Sequence, residues 1–232
     1  MENTLKVTNV LSDPTRFNIY QHIIKRRKPV TVLNVAEEFD IHPNVARLHL
    51  SKLEEIKLIT SHFQKTGRGG RPSRLYELSD NVIELNFPFR DYKLFSSIAI
   101  ESLIELGDVG KEALYKTGKK YGMEVVKQYE VSVNPNDLTI EQKIQILEDA
   151  GTMLGMYPSF EYNAEKNNIS FRVNNCPFKE VVEQDQNMVC NMHQSFLKGM
   201  FEALFDEIEL IETENMFKGC ENCQYIAQLS IS

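Results

Sequence analysis

The 232-residue chain has no tryptophan, few prolines and glycines (8 and 11), and no cysteine in its first 175 positions. With 42% hydrophobic and 25% charged residues, that scarcity excludes a fibrous or disordered chain. No apolar run approaches the ~18–20 residues of a membrane span, and MENTLKVTNVLSDPTR lacks the charged-then-apolar layout of a signal peptide. A soluble, cytoplasmic protein without membrane contact is expected. There, four cysteines serve as thiols or metal ligands rather than structural disulfides. A Ser-His-Asp constellation, a paired-carboxylate motif and a phosphate loop are also missing. The Gly67-x-Gly69 spacing lies in no strand–helix unit and is no nucleotide fingerprint. An enzyme is not expected.

Charge is unevenly spread. Residues 1–80 hold thirteen Lys and Arg against nine Asp and Glu, a balance of +4, whereas residues 81–232 hold thirteen against twenty-four, a balance of −11. This asymmetry fits one half facing a polyanion and another half with a different task. The length suits one large domain or two small ones, and the reading adopted is 1–80, a linker over 81–90, and 91–232.

In the first eighty residues, Thr4 to Leu11 reads as a short helix. Asp13-Pro14 then caps a helix from Thr15 to Lys25 with Phe17, Tyr20, Ile23 and Ile24 on one stripe. Thr31 caps a short helix carrying Val32, Leu33, Val35, Ala36 and Phe39, and Pro43 starts a third that runs to about Lys57. A short helix, a tight turn and a further helix form a helix-turn-helix. At about 100° per residue, Ala46, Leu50 and Leu53 of the third helix face a core. The opposite face offers Asn44, Leu48, Ser51, Lys52 and Glu55, flanked by Val45 and Arg47. Those are the positions that reach base edges when such a helix enters the major groove. On any small helical domain they would instead be a solvated face. Two strand-like runs follow, Leu58–Phe63 and Leu75–Leu78. Between them KTGRGGRPSR carries Lys65, Arg68, Arg71 and Arg74, four cations suited to phosphate or the minor groove.

Residues Ile41 to Glu54 resemble the recognition helix of bacterial winged-helix regulators of the ArsR/DeoR type, most of all SufR-like iron–sulfur-responsive repressors. His42, Pro43, Asn44, Arg47, His49, Leu50, Leu53 and Leu58 match that family's pattern, as does Gly67 through Tyr76 with one extra glycine. Lys57 replaces the usual helix-ending glycine. The resemblance implies a winged helix-turn-helix and a double-stranded DNA operator, contacted by Asn44, Val45, Arg47, Leu48, Ser51, Lys52, Lys65, Arg68, Arg71 and Arg74.

Beyond the linker, Tyr92–Leu106 and Lys111–Tyr129 read as helices, the first with an apolar stripe of Phe95, Ile98, Ala99, Leu103 and Leu106 suited to a homodimer interface. A break follows at Asn134-Pro135-Asn136, then a helix from Thr139 to Leu154. A hairpin over Pro158–Tyr162 and Ile169–Val173, a helix from Met188 to Phe205, and closing strands Ile208–Met216 and Gln224–Ser230 complete an α+β half.

All four cysteines lie here, Cys176, Cys190, Cys220 and Cys223, spaced C-x13-C-x29-C-x2-C, with His193 three residues after Cys190. Four thiolates can hold Zn²⁺ or an iron–sulfur cluster, with His193 as a possible alternative ligand. Each cysteine could equally be a small buried hydrophobe, the C-x2-C a redox pair, and His193 a core residue. Asn175-Cys176-Pro177-Phe178, Cys190 on a helix leading to Gly199, and Cys220-x-x-Cys223-x-Tyr225-Ile226 resemble the SufR-like sensor half and, more distantly, a vinyl-reductase-like domain. That resemblance implies a cluster of the four-iron type on these cysteines, with zinc, or a small hydrophobic ligand in a pocket, as alternatives.

Overall fold

The computed structural model describes residues 2–26, 28–64, 72–83, 85, 88, 90–128 and 134–230. The chain divides into two compact units, Met1–Arg90 and Asp91–Ser232, and the fold is α+β.

In the first unit, helices α1 (Glu2–Leu11), α2 (Pro14–Arg26), α3 (Val32–Glu38) and α4 (Pro43–Glu55) precede strands β1 (Ile59–Gln64) and β2 (Ser73–Leu78). Each turn is fixed by side chains that satisfy the free amides of a helix start. Asp13 Oδ1 accepts from the Arg16 amide at 2.9 Å. Thr31 and Asn34 exchange bonds in a capping box. His42 Nδ1 accepts from the Asn44 amide at 3.2 Å, with Pro43 at the first helical position. Helix α4 stops where Lys57 adopts φ +61°, the left-handed conformation that usually calls for glycine. The strands pair antiparallel, Phe63 opposite Arg74. Val30 adds a short third edge, since its N–H and carbonyl both bond Tyr76 at 2.8 Å.

The core gathers Val7, Ile19, Ile23, Val35, Ala46, Leu50, Leu53, Ile59 and Tyr76. Two side chains expected inside are not. Phe17 is 39% exposed, because α2 turns Ile19 inward with Ile23 and Ile24, and Leu33 is exposed because the seven-residue α3 buries only Val35 and Ala36.

In the second unit, α5 (Tyr92–Glu105), α6 (Asp108–Lys127), α7 (Ile140–Met153), α8 (Lys179–Val182) and α9 (Gln186–Glu202) accompany strands β3 (Ser159–Asn163), β4 (Asn168–Val173), β5 (Ile208–Glu214) and β6 (Cys223–Leu229). The sheet is antiparallel in the order β3-β4-β6-β5. Its inner face packs on α9 and α7 through Ile169, Phe171, Tyr225, Leu197, Met200, Phe201 and Leu147. Helix α6 lies against α9 at backbone distance: a Cβ on Gly122 would stand 2.0 Å from the Phe196 carbonyl oxygen, and one on Gly199 2.0 Å from that of Lys119.

Boundaries differ from expectation where capping decides them. Asp185 caps α9 (Met188 N–H to Oδ1, 2.9 Å), starting it two residues early, and it ends at Glu202 rather than Phe205. Lys179–Val182 forms a helical turn that no periodicity announced. Strand β5 stops at Glu214, where Asn215 caps a 3-10 turn over Met216–Lys218. The expected helix end at Tyr129 lies outside the described residues. Among those described, no helix is long and apolar enough to cross a membrane.

Candidate nucleic-acid interface and cysteine cluster

Helix α4 presents two faces of opposite character. Ala46, Leu50 and Leu53 are fully buried, while Asn44, Val45, Arg47, Leu48, Ser51 and Lys52 are exposed. At its amino end Arg47 Nη1 donates to Asn44 Oδ1 at 3.1 Å, joining two candidate base readers. At its carboxy end Glu55 accepts from Lys52 at 3.0 Å and lies 2.8 Å from Lys6 of α1. Those two ammonium groups, Lys6 foremost, hold the Glu55 carboxyl down at about 2. Beneath the helix, His49 is buried with an unpartnered Nδ1. Burial lowers its pKa, and the Asp13 carboxylate partly opposes the shift.

Of the loop cations, Lys65, Arg68 and Arg71 lie outside the described residues. Arg74 is described and is committed elsewhere. Its guanidinium bonds both Glu54 oxygens, at 2.7 and 2.9 Å, and donates from Nε to Ser61 Oγ at 2.9 Å. It also sits over the rings of Tyr76 and Phe63, 5.1 and 5.9 Å from their centroids. Nothing local in the sequence links Glu54 to Arg74, twenty residues apart; only the β1–β2 pairing does.

In the second unit three cysteines lie within electrostatic reach of one another. Cys176 follows the end of β4, Cys223 opens β6 opposite Val173, and Cys190 rides on α9. Burial pushes the Cys176 thiol up to about 12, with the approach of Cys223 and Cys190 adding to the shift. Burial likewise raises Cys190 and Cys223, and Glu212, across the sheet from Tyr225, adds to both. Cys223 Sγ accepts from the Met216 amide at 3.4 Å. Cys220 lies in the turn after Gly219, whose φ of +94° lets the chain reverse there. In the same turn Asn222 Oδ1 is buried without a partner.

His193 lies beside one of these thiols, deep in the unit. It is 3% exposed, its Nδ1 3.9 Å from Cys176 Sγ and its Nε2 3.4 Å from Met156 Sδ, with Phe178 edge-on. Burial pushes its pKa down to about 4. It packs as a neutral core imidazole with a neighbour at each nitrogen.

In donor chemistry these thiols suit a thiophilic ion or cluster. In the positions described they are not drawn around one point: among the described residues, no three His, Cys, Asp or Glu side chains form a group that could hold a metal ion. The aromatic interior between α7, α9 and the sheet is filled, leaving a cavity of about 10 Å³ beside Met156, Phe171 and Phe201. That is about the space of a single water.

The first unit is a winged helix-turn-helix, a fold that places its second motif helix in the DNA major groove. Residues 11–62 match the family model described as a helix-turn-helix domain. No curated protein matches the chain. Among solved structures, a trafficking protein particle complex subunit 3 from Naegleria fowleri, covalently bound to palmitic acid, is similar at 16% identity and a TM-score of 0.45, covering 60% of this chain and 92% of that one. The phenol-responsive sensory domain of the transcription activator PoxR, with phenol, is similar at 15% identity and a TM-score of 0.46, covering 79% and 89%. Likenesses at this level assign no ligand or partner to this chain.

Proposed function

We propose that the chain is a homodimeric transcriptional regulator, acting as a repressor, whose operator affinity responds to an iron–sulfur cluster or metal ion on Cys176, Cys190, Cys220 and Cys223. The observation that carries the DNA-binding part is the division of α4 into a buried apolar face and an exposed face of Asn44, Val45, Arg47, Leu48, Ser51 and Lys52. Asn44 and Arg47 supply donors and acceptors for base edges, and Val45 and Leu48 suit thymine methyl groups. Arg68 and Arg71 in the wing supply phosphate contacts that are independent of sequence.

Support for a dimer comes from α5. None of its residues is buried, Phe95 and Ile98 are 71% and 54% exposed, and Leu106 just past its end is 62% exposed. A two-fold dimer would set two recognition helices on half-sites about one helical turn apart. The sensing part rests on donor chemistry: Cys176, Cys190 and Cys223 are free thiols of one unit that lie within electrostatic reach of one another. A bound cluster or ion would supply metal–thiolate bonds that oxidants disrupt. The thiols themselves sit at the end of β4, on α9 and at the start of β6, so linking them ties three elements of the second unit together.

The test is a gel shift on DNA from the protein's own promoter region across a salt series, with the Arg47→Ala and Arg68→Ala variants. Arg47→Ala should relax sequence preference. Arg68→Ala should weaken binding to all sequences and flatten the salt slope by about one. Absence of any salt-dependent binding by the wild type would overturn the reading.

A further inference from the structure

Arg74 ends the row of wing cations and by charge alone reads as a fourth phosphate contact. Its surroundings give it another task. Both Glu54 oxygens accept from Nη2, at 2.7 and 2.9 Å, while Nε donates to Ser61 Oγ at 2.9 Å. Ser61 Oγ closes the ring by donating to Glu54 Oε1 at 2.5 Å. Phe63 and Tyr76 flank the guanidinium. Glu54 lies in the last turn of α4, Ser61 on β1 and Arg74 on β2. Three elements therefore meet at one planar group, and the contact joins the recognition helix to both strands at the base of the wing.

Exposed ion pairs contribute little because two long side chains must be held in one geometry. Arg74 is also exposed, at 40%, but this pair differs in that Nη2 and Nε are bonded to two partners and two rings flank the guanidinium, so its geometry is held by more than the ion pair. A lysine, a point charge on a flexible stem, could replace an arginine that merely faces phosphate, but it could not make this set of contacts.

We propose that Arg74 is a positioning residue: with Glu54 and Ser61 it fixes the angle between the recognition helix and the wing, so that both can meet the same stretch of DNA. The inference rests on the DNA-binding reading of the first unit. It makes a prediction of sign that a phosphate contact does not. Glu54→Gln removes a negative charge from the DNA-facing unit, which for simple electrostatics would tighten binding. If Arg74 positions the wing, the same change weakens it.

The experiment measures operator affinity of the full chain for Glu54→Gln, Arg74→Lys, Arg74→Ala and the Glu54→Gln/Arg74→Ala double variant, with thermal unfolding as a control for folding. Amide hydrogen exchange across β1 and β2 is recorded without DNA. Each single variant should lose about five- to tenfold in affinity, and the double variant no more than either single, as coupled residues do. Exchange at Phe63 and Arg74 should quicken in both Glu54→Gln and Arg74→Lys. Arg74→Lys binding like the wild type, or Glu54→Gln binding as well or better, would overturn the proposal, as would unchanged exchange. If the wild type bound no DNA while exchange still quickened, the DNA-binding reading would fall and the helix–wing link would stand.

Discussion

At Lys57 the chain keeps a lysine where the left-handed turn after α4 needs φ +61°. A non-glycine residue there pays about 1 kcal/mol in contact between Cβ and the following carbonyl. The side chain is exposed and contributes nothing to the core that would offset this. Lys57→Gly should therefore raise stability by up to about 1 kcal/mol, read as a higher denaturant midpoint at unchanged slope. His49 makes a second residue-scale prediction. Its pKa is lowered in the fold by burial, so the unfolded chain binds the proton more readily. The stability it contributes is complete above the ordinary histidine range and declines as pH falls through about 6.5 toward the lowered value. Titration of the His49 ring by NMR should show a midpoint below 6.5, and His49→Gln should make the pH dependence of unfolding shallower. A midpoint at or above 6.5 would contradict the burial argument.

At the scale of elements, α6 and α9 approach so closely that glycine alone fits the crossing. Alanine in place of Gly122 or Gly199 would gain about 1 kcal/mol of helix propensity. It would also place a methyl carbon 2.0 Å from a backbone carbonyl oxygen that cannot move without its helix. Overpacking of this kind costs about 1–3 kcal/mol or more, so both substitutions should lower the denaturant midpoint rather than raise it. Helix α5 is the opposite case, an apolar helix whose Phe95 and Ile98 meet solvent. Placing Asp at both positions should turn the proposed dimer into a monomer by light scattering at micromolar concentration. A wild-type monomer under the same conditions would remove α5 as an interface.

For the whole molecule, the proposed sensing depends on residues 176 to 223 being brought together by the fold. Cys176, Cys190 and Cys223 are held as protonated thiols by burial, so an ion must displace protons to bind, and its affinity should rise with pH. After anaerobic purification, metal and sulfide analysis with an absorption spectrum should find iron and visible absorption. Stoichiometric zinc without colour would instead identify a structural ion. Each single Cys→Ser variant should lower metal content sharply, because serine is a harder and poorly matched donor. His193, with Nδ1 3.9 Å from Cys176 Sγ, is the alternative ligand: His193→Ala with unchanged content identifies a four-cysteine site, and loss of metal in that variant together with one dispensable cysteine identifies a Cys₃His site. Four Cys→Ser proteins with wild-type content, or a wild type with neither iron nor zinc, would sink the site.

Local chemistry determined much of this protein. Asp13-Pro14, Thr31 and Pro43 mark three helix starts because a cap needs only residues within one turn of it. The outward face of α4 was legible for the same reason: helical periodicity separates Ala46, Leu50 and Leu53 from Asn44, Leu48 and Ser51 without reference to the rest of the chain. Tertiary structure alone decided what depends on distant partners. It turned Ile19 inward and left Phe17 in solvent, paired Val30 with Tyr76, and gave His193 to Met156 and Cys176. It also turned Arg74 from one loop cation among four into the partner of Glu54, twenty residues away. A side chain's charge and polarity are written in its own position, but what it touches is set by strand register and helix packing, and those are properties of the folded chain.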